Sequence, residues 1–287
     1  MKSPPDVEKP EDSVLRSVEA RFAGPTRFAT DCLRIDVSKS STKQARSERV
    51  LAWPAMSRVH FIGGEKGGVG KSVVARLVTQ NCIDKSLPFA AVDADSSHAT
   101  LARHYADYAR QGDLARLESM DEVVALATET DRRVIVDLPA QSDRLLSAWI
   151  AESGVLELTR DAGCPIVLWH VMDDGKDALA ALERLLDRYQ REVSYAIVRN
   201  YGRGKDFSLF DKSPVRAKAS DLGAHVIDLP ELPGGAMQKI DRLDASFWAA
   251  VHNASFGADA LSRMDRQRIK VWLQASFEQI ARLGEAF

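Results

Sequence analysis

Three cysteines are all the thiol chemistry this chain of 287 residues offers. Cys32, Cys82 and Cys164 lie far apart with no C-x-x-C or C-x-C pair, which excludes a disulfide framework and argues against a zinc or iron–sulfur clasp. A reducing compartment is the expectation. No apolar run approaches the roughly 18 residues that would cross a bilayer. The first ten residues carry two lysines and three prolines but no apolar segment of a secretory signal. A cytoplasmic protein is expected, and membrane attachment is not. An excess of one charge is also lacking: 39 Lys and Arg against 41 Asp and Glu leave a net charge of −2. Any contact with nucleic acid must therefore come from a local patch and not from a global field. Six histidines show no metal-ligand spacing such as H-x-x-x-H, so a zinc enzyme is not expected and the histidines read as surface or strand-end residues.

What is present is the composition of a globular protein, 45% apolar and 28% charged. The length is about twice the roughly 150-residue prior for one domain, and single α/β domains of that order are ordinary. Residues 1 to 57 hold ten Lys and Arg and eight Asp and Glu, and every residue from Ser38 to Arg49 except Ala45 is polar or charged. Such a stretch buries too little apolar surface to offset chain entropy, so it reads as a polar, disordered N-terminal extension. A short helix from Ser13 to Phe22 is its one periodic element. Met56, just ahead of the first apolar run, admits a second reading in which translation starts there. Residues 58 to 287 read as a single domain that includes a C-terminal helix.

From Arg58 onward, short β-branched runs alternate with helical patterns. The runs Val59 to Gly63, Phe89 to Asp93, Val134 to Leu138, Ile166 to Val171, Tyr195 to Arg199 and His225 to Leu229 predict strands. Lys176 to Gln190 places Leu179, Leu182, Leu186 and Tyr189 on one helical face behind an Asp173-Asp174 cap signal. The alternation predicts an α/β fold with a mainly parallel central sheet and helices on both faces.

The most informative stretch is Gly63-Gly64-Glu65-Lys66-Gly67-Gly68-Val69-Gly70-Lys71-Ser72, between an apolar strand and a helical run. Glycines let successive backbone N–H groups turn inward, and the following helix adds its positive N-terminus, so the loop is built to cradle phosphates. Gly67, Gly68, Val69, Gly70, Lys71 and Ser72 are the expected nucleotide-binding residues. Lys71 would reach the β- and γ-phosphates, and the Ser72 hydroxyl would take one coordination site on Mg²⁺. The general phosphate-loop pattern places Gly six residues before the lysine, where this chain has Glu65. A carboxylate beside phosphates is unfavourable, so the Glu65 side chain is expected to point away or to pair with a cation.

The stretch Lys66 to Ser72, K-G-G-x-G-K-S, resembles the deviant Walker A motif of the MinD/ParA superfamily of P-loop ATPases. The resemblance covers roughly residues 58 to 235. It implies a P-loop NTPase fold, ATP and Mg²⁺ as ligands, ATP hydrolysis, and an ATP-dependent homodimer in which Lys66 crosses to the partner subunit's nucleotide. It further implies that Asp95, at the end of Phe89-Ala90-Ala91-Val92-Asp93-Ala94-Asp95, orients the attacking water while Asp93 supports Mg²⁺ and the first switch. Both carboxylates admit the plainer reading of solvated strand ends. Val134 to Ala140 looks like the Walker B strand, with Asp137 holding a Mg²⁺-bound water. Asn200, ending the strand Ala196 to Asn200, would read the adenine edge, with the loop Pro230 to Pro233 as the other wall. By the same resemblance the catalytic set is Lys66, Lys71 and Asp95, and the metal set is Ser72, Asp93 and Asp137.

Two surfaces carry partner readings. Residues 199 to 218 interleave Arg199, Arg203, Lys205, Lys212, Arg216 and Lys218 with Tyr201, Phe207 and Phe210, a pattern that suits either non-specific DNA or a solvated loop. Ile269, Trp272, Leu273, Ser276, Ile280 and Leu283 form a C-terminal stripe of about four turns, as in a packed core helix. MinD-type relatives instead end in a basic membrane helix, and Glu278 and Glu285 dilute such a face here. The expected function is an ATP-dependent switch that positions, partitions or transfers a cargo such as plasmid DNA or a protein complex, with a protein activator or cargo adaptor. The opening of the domain resembles small ATPases encoded with plasmid mobilisation and conjugation systems. The rival reading is a metabolic ligase of the cobyrinate and dethiobiotin type; a bacterial tyrosine kinase is disfavoured by the absence of a C-terminal tyrosine cluster.

Overall fold

The computed structural model describes residues 57 to 253, 261 to 284 and 287. The readings made for residues 1 to 56, including the helix at Ser13 to Phe22 and the start at Met56, lie outside the described residues.

Among the described residues seven strands are formed: β1 (Arg58–Gly63), β2 (Phe89–Asp93), β3 (Ala109–Gln111), β4 (Arg133–Asp137), β5 (Ile166–Met172), β6 (Ser194–Asn200) and β7 (His225–Leu229). They make one sheet in the order β3-β2-β4-β1-β5-β6-β7, with every pairing parallel. Between them run α1 (Lys71–Asp84), α2 (Thr100–His104), α3 (Leu117–Thr128), α4 (Asp143–Ser153), α5 (Val155–Asp161), α6 (Lys176–Tyr189), α7 (Ser208–Asp211) and α8 (Pro214–Asp221). After β7 come α9 (Ala236–Arg242), α10 (Phe247–His252) and α11 (Arg263–Ala281).

Parallel strands cannot be joined by hairpins, so each crossover lays a helix on a face of the sheet and buries both faces. The period of two then divides every central strand between two cores. Val59, Phe61, Val134, Val136, Ile166, Leu168, Tyr195 and Ile197 pack beneath α3, α4, α6 and α8. Ile62, Ile135, Val167, Trp169, Ala196 and Val198 pack beneath α1, α9, α10 and α11. The predicted strands agree with the observed ones to within a residue at each end. Ala109–Gln111 was not predicted, because three residues at a sheet edge are too short to show a period.

The histidine expectation needs correction. His60, His104 and His170 are buried, the first and last inside β1 and β5. The Trp169 Nε1–H donates to His60 Nδ1 at 3.1 Å, and His170 Nε2 lies 3.0 Å from the Ala178 carbonyl. Burial, with nearby arginine charge adding to it, pushes the His60 imidazole down to about 3. Burial likewise takes His170 down to about 4, so both are held neutral.

The apolar stripe of the C-terminal segment is turned inward. Ile269, Trp272, Leu273, Ser276, Ile280 and Leu283 are all buried. Trp272 packs edge-on against Phe247 at 5.3 Å and donates its Nε1–H to the Pro230 carbonyl at 2.7 Å. A capping box starts the helix: Ser262 Oγ accepts from the Asp265 N–H, and Asp265 accepts in return from the Ser262 N–H. Among the described residues no helix is long and apolar enough to cross a membrane.

Candidate functional site

The strand order places β1 between β4 and β5. An open parallel sheet leaves a crevice at the carboxyl ends of its strands where the chain direction of winding reverses. The residues ending those strands are Gly63 on β1, Asp93 on β2, Asp137 on β4 and Asn200 on β6. Asp93 is in register with Asp137, and Asp137 with Ile62. Register alone thus gathers the two carboxylates beside the root of the glycine-rich loop.

The loop from Gly64 to Gly70 enters α1 without the usual capping side chain, and the first turn of α1 carries no acidic residue. The positive helix end therefore faces the loop uncompensated. Two glycines are required sterically. A Cβ on Gly64 would stand 2.5 Å from the Val171 carbonyl oxygen, and one on Gly70 would stand 2.3 Å from Asn200 Nδ2, with Gly70 at φ +104°.

Lys71 is buried, and its Nζ donates to the Lys66 carbonyl at 3.1 Å, so its ammonium bends back under the loop. Burial lowers its pKa, opposed by the charges of Asp137, Asp95 and Glu65. Asp137 is fully buried, and neither carboxylate oxygen makes a hydrogen bond within ordinary distance and angle limits. Burial pushes the carboxyl up to about 7, while the Ser72 hydroxyl and Lys71 pull it back. Buried polar atoms left open in this way are uncommon in proteins. A divalent cation held between Asp137 and Ser72 would satisfy them, and this donor set of hard oxygens suits Mg²⁺.

Asp93 is placed differently from Asp137. Its Oδ1 accepts from the Asp95 N–H at 3.0 Å and its Oδ2 from the Ala102 N–H at 2.9 Å, so both oxygens already hold the loop after β2. Burial raises its pKa against those bonds. Asp95 is half-buried. It accepts from Ser97 Oγ at 2.5 Å and lies 3.2 Å from His98 Nδ1. Burial would raise its pKa, but the bonds from Ser97 and His98 outweigh it and the net shift is downward, so the carboxylate is ionised. Sequence reasoning missed Ser97 and His98, which carry no motif of their own.

Lys66, the extra lysine, is turned away from Lys71. Its half-exposed ammonium sits 2.5 Å from Asp173 Oδ2, in the turn after β5. That hydrogen bond and charge raise its pKa. Asp173 uses its other oxygen to accept from the Gly175 N–H at 3.1 Å, ahead of α6. The sequence signalled Asp173 as a helix cap and gave no sign of its second partner.

Asn200 anchors the loop. Its Nδ2 donates to the Val69 carbonyl at 2.7 Å and its Oδ1 accepts from the Gly202 N–H at 3.0 Å. A cavity of about 260 Å³ opens beside it, lined by Val73, Asn200, Arg203, Pro230, Leu232 and Gln238 among others. The expected base site and its Pro230 wall are therefore adjacent. Three of the six basic residues from Arg199 to Lys218 are paired within the chain. Arg199 pairs with Asp228 at 2.7 Å and Asp211 at 2.8 Å, Lys205 pairs with Glu231, and Lys218 pairs with Asp187. Phe207 and Phe210 are buried and cannot stack on bases.

A parallel sheet, a glycine-rich turn leading from the strand beside its switch point into a helix, and a lysine and serine opening that helix are together decisive. The fold is that of a P-loop NTPase. No protein-family model matches the chain. It is similar to the protein TraL of Escherichia coli, 25% identical over 240 residues that span 78% of this chain and 98% of TraL. It is similar also to the protein MobD of Acidithiobacillus ferrooxidans, 25% identical over 182 residues, 61% of this chain and 78% of MobD. Among solved structures, the septum site-determining protein MinD of Pyrococcus horikoshii, complexed with Mg-ADP, aligns with a TM-score of 0.47 and 16% identity. That alignment covers 81% of this chain and 99% of MinD.

Proposed function

We propose that the chain is a Mg²⁺-dependent ATPase of the MinD/ParA type, working as an ATP-dependent dimerisation switch with slow hydrolysis. The observation that carries this reading is the fully buried Asp137 carboxylate, which faces the Ser72 hydroxyl and feels the Lys71 charge at the foot of a loop holding a second lysine. Bound Mg²⁺ would neutralise phosphate charge and hold an ordered water. Ser72 and Asp137 are the residues that would hold it, with Asp93 bracing the loop that carries Asp95. The backbone of Gly67 to Ser72 binds phosphate, and Lys71 exchanges its contact with the Lys66 carbonyl for phosphate oxygens. Asp95, kept ionised by Ser97 and His98, accepts a hydrogen bond from the attacking water and orients it.

Lys66 and Lys71 cannot both crowd onto one set of phosphates without strong repulsion, so Lys66 serves the nucleotide of a second copy across a two-fold axis. To do so it leaves Asp173. Loss of the γ-phosphate removes the contact that favours the dimer, which makes the assembly a switch. The cargo is a plasmid or a protein complex met through an adaptor or activator. A task in mobilisation or conjugation is in keeping with the likeness to TraL and MobD. Calorimetric titration with ATP and Mg²⁺ tests the reading. The unmodified chain binds, Lys71→Ala loses most affinity and all turnover, and equal affinity in the two proteins would refute it.

A further inference from the structure

Glu65 stands where the general phosphate-loop pattern has glycine, and the proposed chemistry gives it no part. Among the described residues its side chain forms no close ion pair, although its charge acts on Lys71. Glu65 Oε1 accepts from the backbone N–H of Asp143 at 3.0 Å, and the Glu65 carbonyl accepts from the Gln141 N–H at 3.2 Å. Asp143 is the first residue of α4, and Ser142, in the N-cap position of that helix, makes no capping bond with its own side chain. A carboxylate from another loop thus supplies the cap, where an anion is favoured by both the open amides and the helix dipole.

The segment it grips is the turn that follows Asp137. Leu138 N–H donates to the Ile62 carbonyl at 3.0 Å, next to the root of the phosphate loop. Gln141 sits in the left-handed region at φ +57°, which a non-glycine residue holds only when its surroundings fix it. Its N–H is held by the Glu65 carbonyl, and two residues on the Asp143 N–H is held by the Glu65 side chain. Asp143 is also held from the other side, its carboxylate accepting from Arg188 of α6 at 2.7 Å.

We propose that Glu65 is a positioning residue that couples the phosphate loop to the turn carrying Asp137 into α4, so that the two move as one unit. Its side chain acts through the Asp143 amide and not on the substrate, while the bond from Gln141 to its main-chain carbonyl is one that any residue at this position keeps. The adjacent residue Lys66 is tied in the other direction, to Asp173 after β5. Two consecutive loop residues of opposite charge therefore bind the loop to its neighbours on either side, Glu65 to β4's turn and Lys66 to β5's. Release of Lys66 leaves the loop held by Glu65, and the geometry at Asp137 is kept while the lysine moves.

The role in turnover rests on the ATPase reading, while the clasp itself does not. Amide hydrogen exchange on the full nucleotide-free chain, read over residues 139 to 146, tests the clasp. Loss of one capping contact raises exchange there by about 5- to 10-fold in Glu65→Ala. Glu65→Gln, which keeps an acceptor oxygen, stays closer to the unmodified chain and guards against a misfolded alanine variant. Nucleotide affinity of Glu65→Ala stays within about threefold, and kcat falls with KM held. Unchanged exchange over residues 139 to 146 in Glu65→Ala overturns the clasp. Raised exchange with kcat at the unmodified value overturns the positioning role. If the unmodified chain neither binds nor hydrolyses ATP, the ATPase reading falls, and the exchange comparison still judges the clasp.

Discussion

Asn200 supports the phosphate loop, and its removal has a magnitude that follows from its contacts. The amide is buried, donates to Val69 of the loop at 2.7 Å and accepts from Gly202 at 3.0 Å. Asn200→Ala deletes both bonds and leaves a carbonyl and an N–H to find other partners. A buried group left unpaired costs about 1 to 3 kcal/mol. Water in the neighbouring cavity of about 260 Å³ relieves part of that cost. The net loss is then roughly 2 to 3 kcal/mol, which lowers the melting temperature of a domain this size by roughly 5 to 10 °C. Asn200→Asp is at least as harmful, because it turns a carboxylate oxygen toward the Val69 carbonyl. Thermal unfolding followed by circular dichroism measures stability, and fluorescent-ADP titration measures the loop. Both fall together if Asn200 holds the loop. A melting temperature within 1 °C of the unmodified chain, with unchanged ADP affinity, would refute the argument.

Other outcomes follow from the same contacts. His60 and His170 stay neutral when folded, down to about 3 and about 4, while an unfolded histidine protonates near 6.5. Their contribution is therefore complete above pH 6.5 and is lost as pH falls from 6.5 toward the folded values. At pH 5 this amounts to roughly 2 kcal/mol for each. Denaturant titrations from pH 7 to pH 5 should show a shallower loss for His170→Gln than for the unmodified chain, and equal slopes would contradict the assignment. Trp272→Ala removes a buried ring and its bond to Pro230 and should cost roughly 3 to 5 kcal/mol in urea unfolding; a loss under 1 kcal/mol would mean the C-terminal helix is not a core element. Asp173→Asn frees the Lys66 ammonium while keeping an oxygen for Gly175, and should tighten ATP-dependent self-association in light scattering. Weaker association in that variant would show that the pair assists assembly instead of restraining the lysine.

The strands were legible because both faces of a parallel sheet are buried, so the central strands are short apolar-rich runs, as in Ile166–Met172, which only His170 interrupts. The edge strand Ala109–Gln111 has two half-buried residues and one exposed, and no such run marks it. The glycine loop was legible because steric demand leaves its mark in residue identity, as at Gly70 against Asn200. What the site residues do with their spare hydrogen-bonding groups was not legible. Asp93 and Asp137 look alike as strand-terminal aspartates, yet one is spent on the Asp95 and Ala102 amides and the other faces the Ser72 hydroxyl without a backbone partner among the described residues. The difference is set by the path of the loop after β2, which no local spacing encodes. Likewise the basic stretch from Arg199 to Lys218 gave no sign that Asp228, Glu231 and Asp187, distant in sequence, pair with Arg199, Lys205 and Lys218. Glu65 was marked by its departure from the pattern, and its partner at Asp143 lies 78 residues on.

In the proposed switch, ATP joins two copies through Lys66. Sedimentation velocity with Mg²⁺ and a slowly hydrolysed ATP analogue, with ADP, and without nucleotide tests it most directly, on the unmodified chain, Lys66→Ala and Asp95→Ala. The unmodified chain should dimerise with the analogue alone, and Asp95→Ala should form a persistent dimer with ATP itself. Lys66→Ala should be a monomer throughout despite binding nucleotide. A monomeric unmodified chain at saturating analogue, or a Lys66→Ala variant that dimerises as readily, would contradict it.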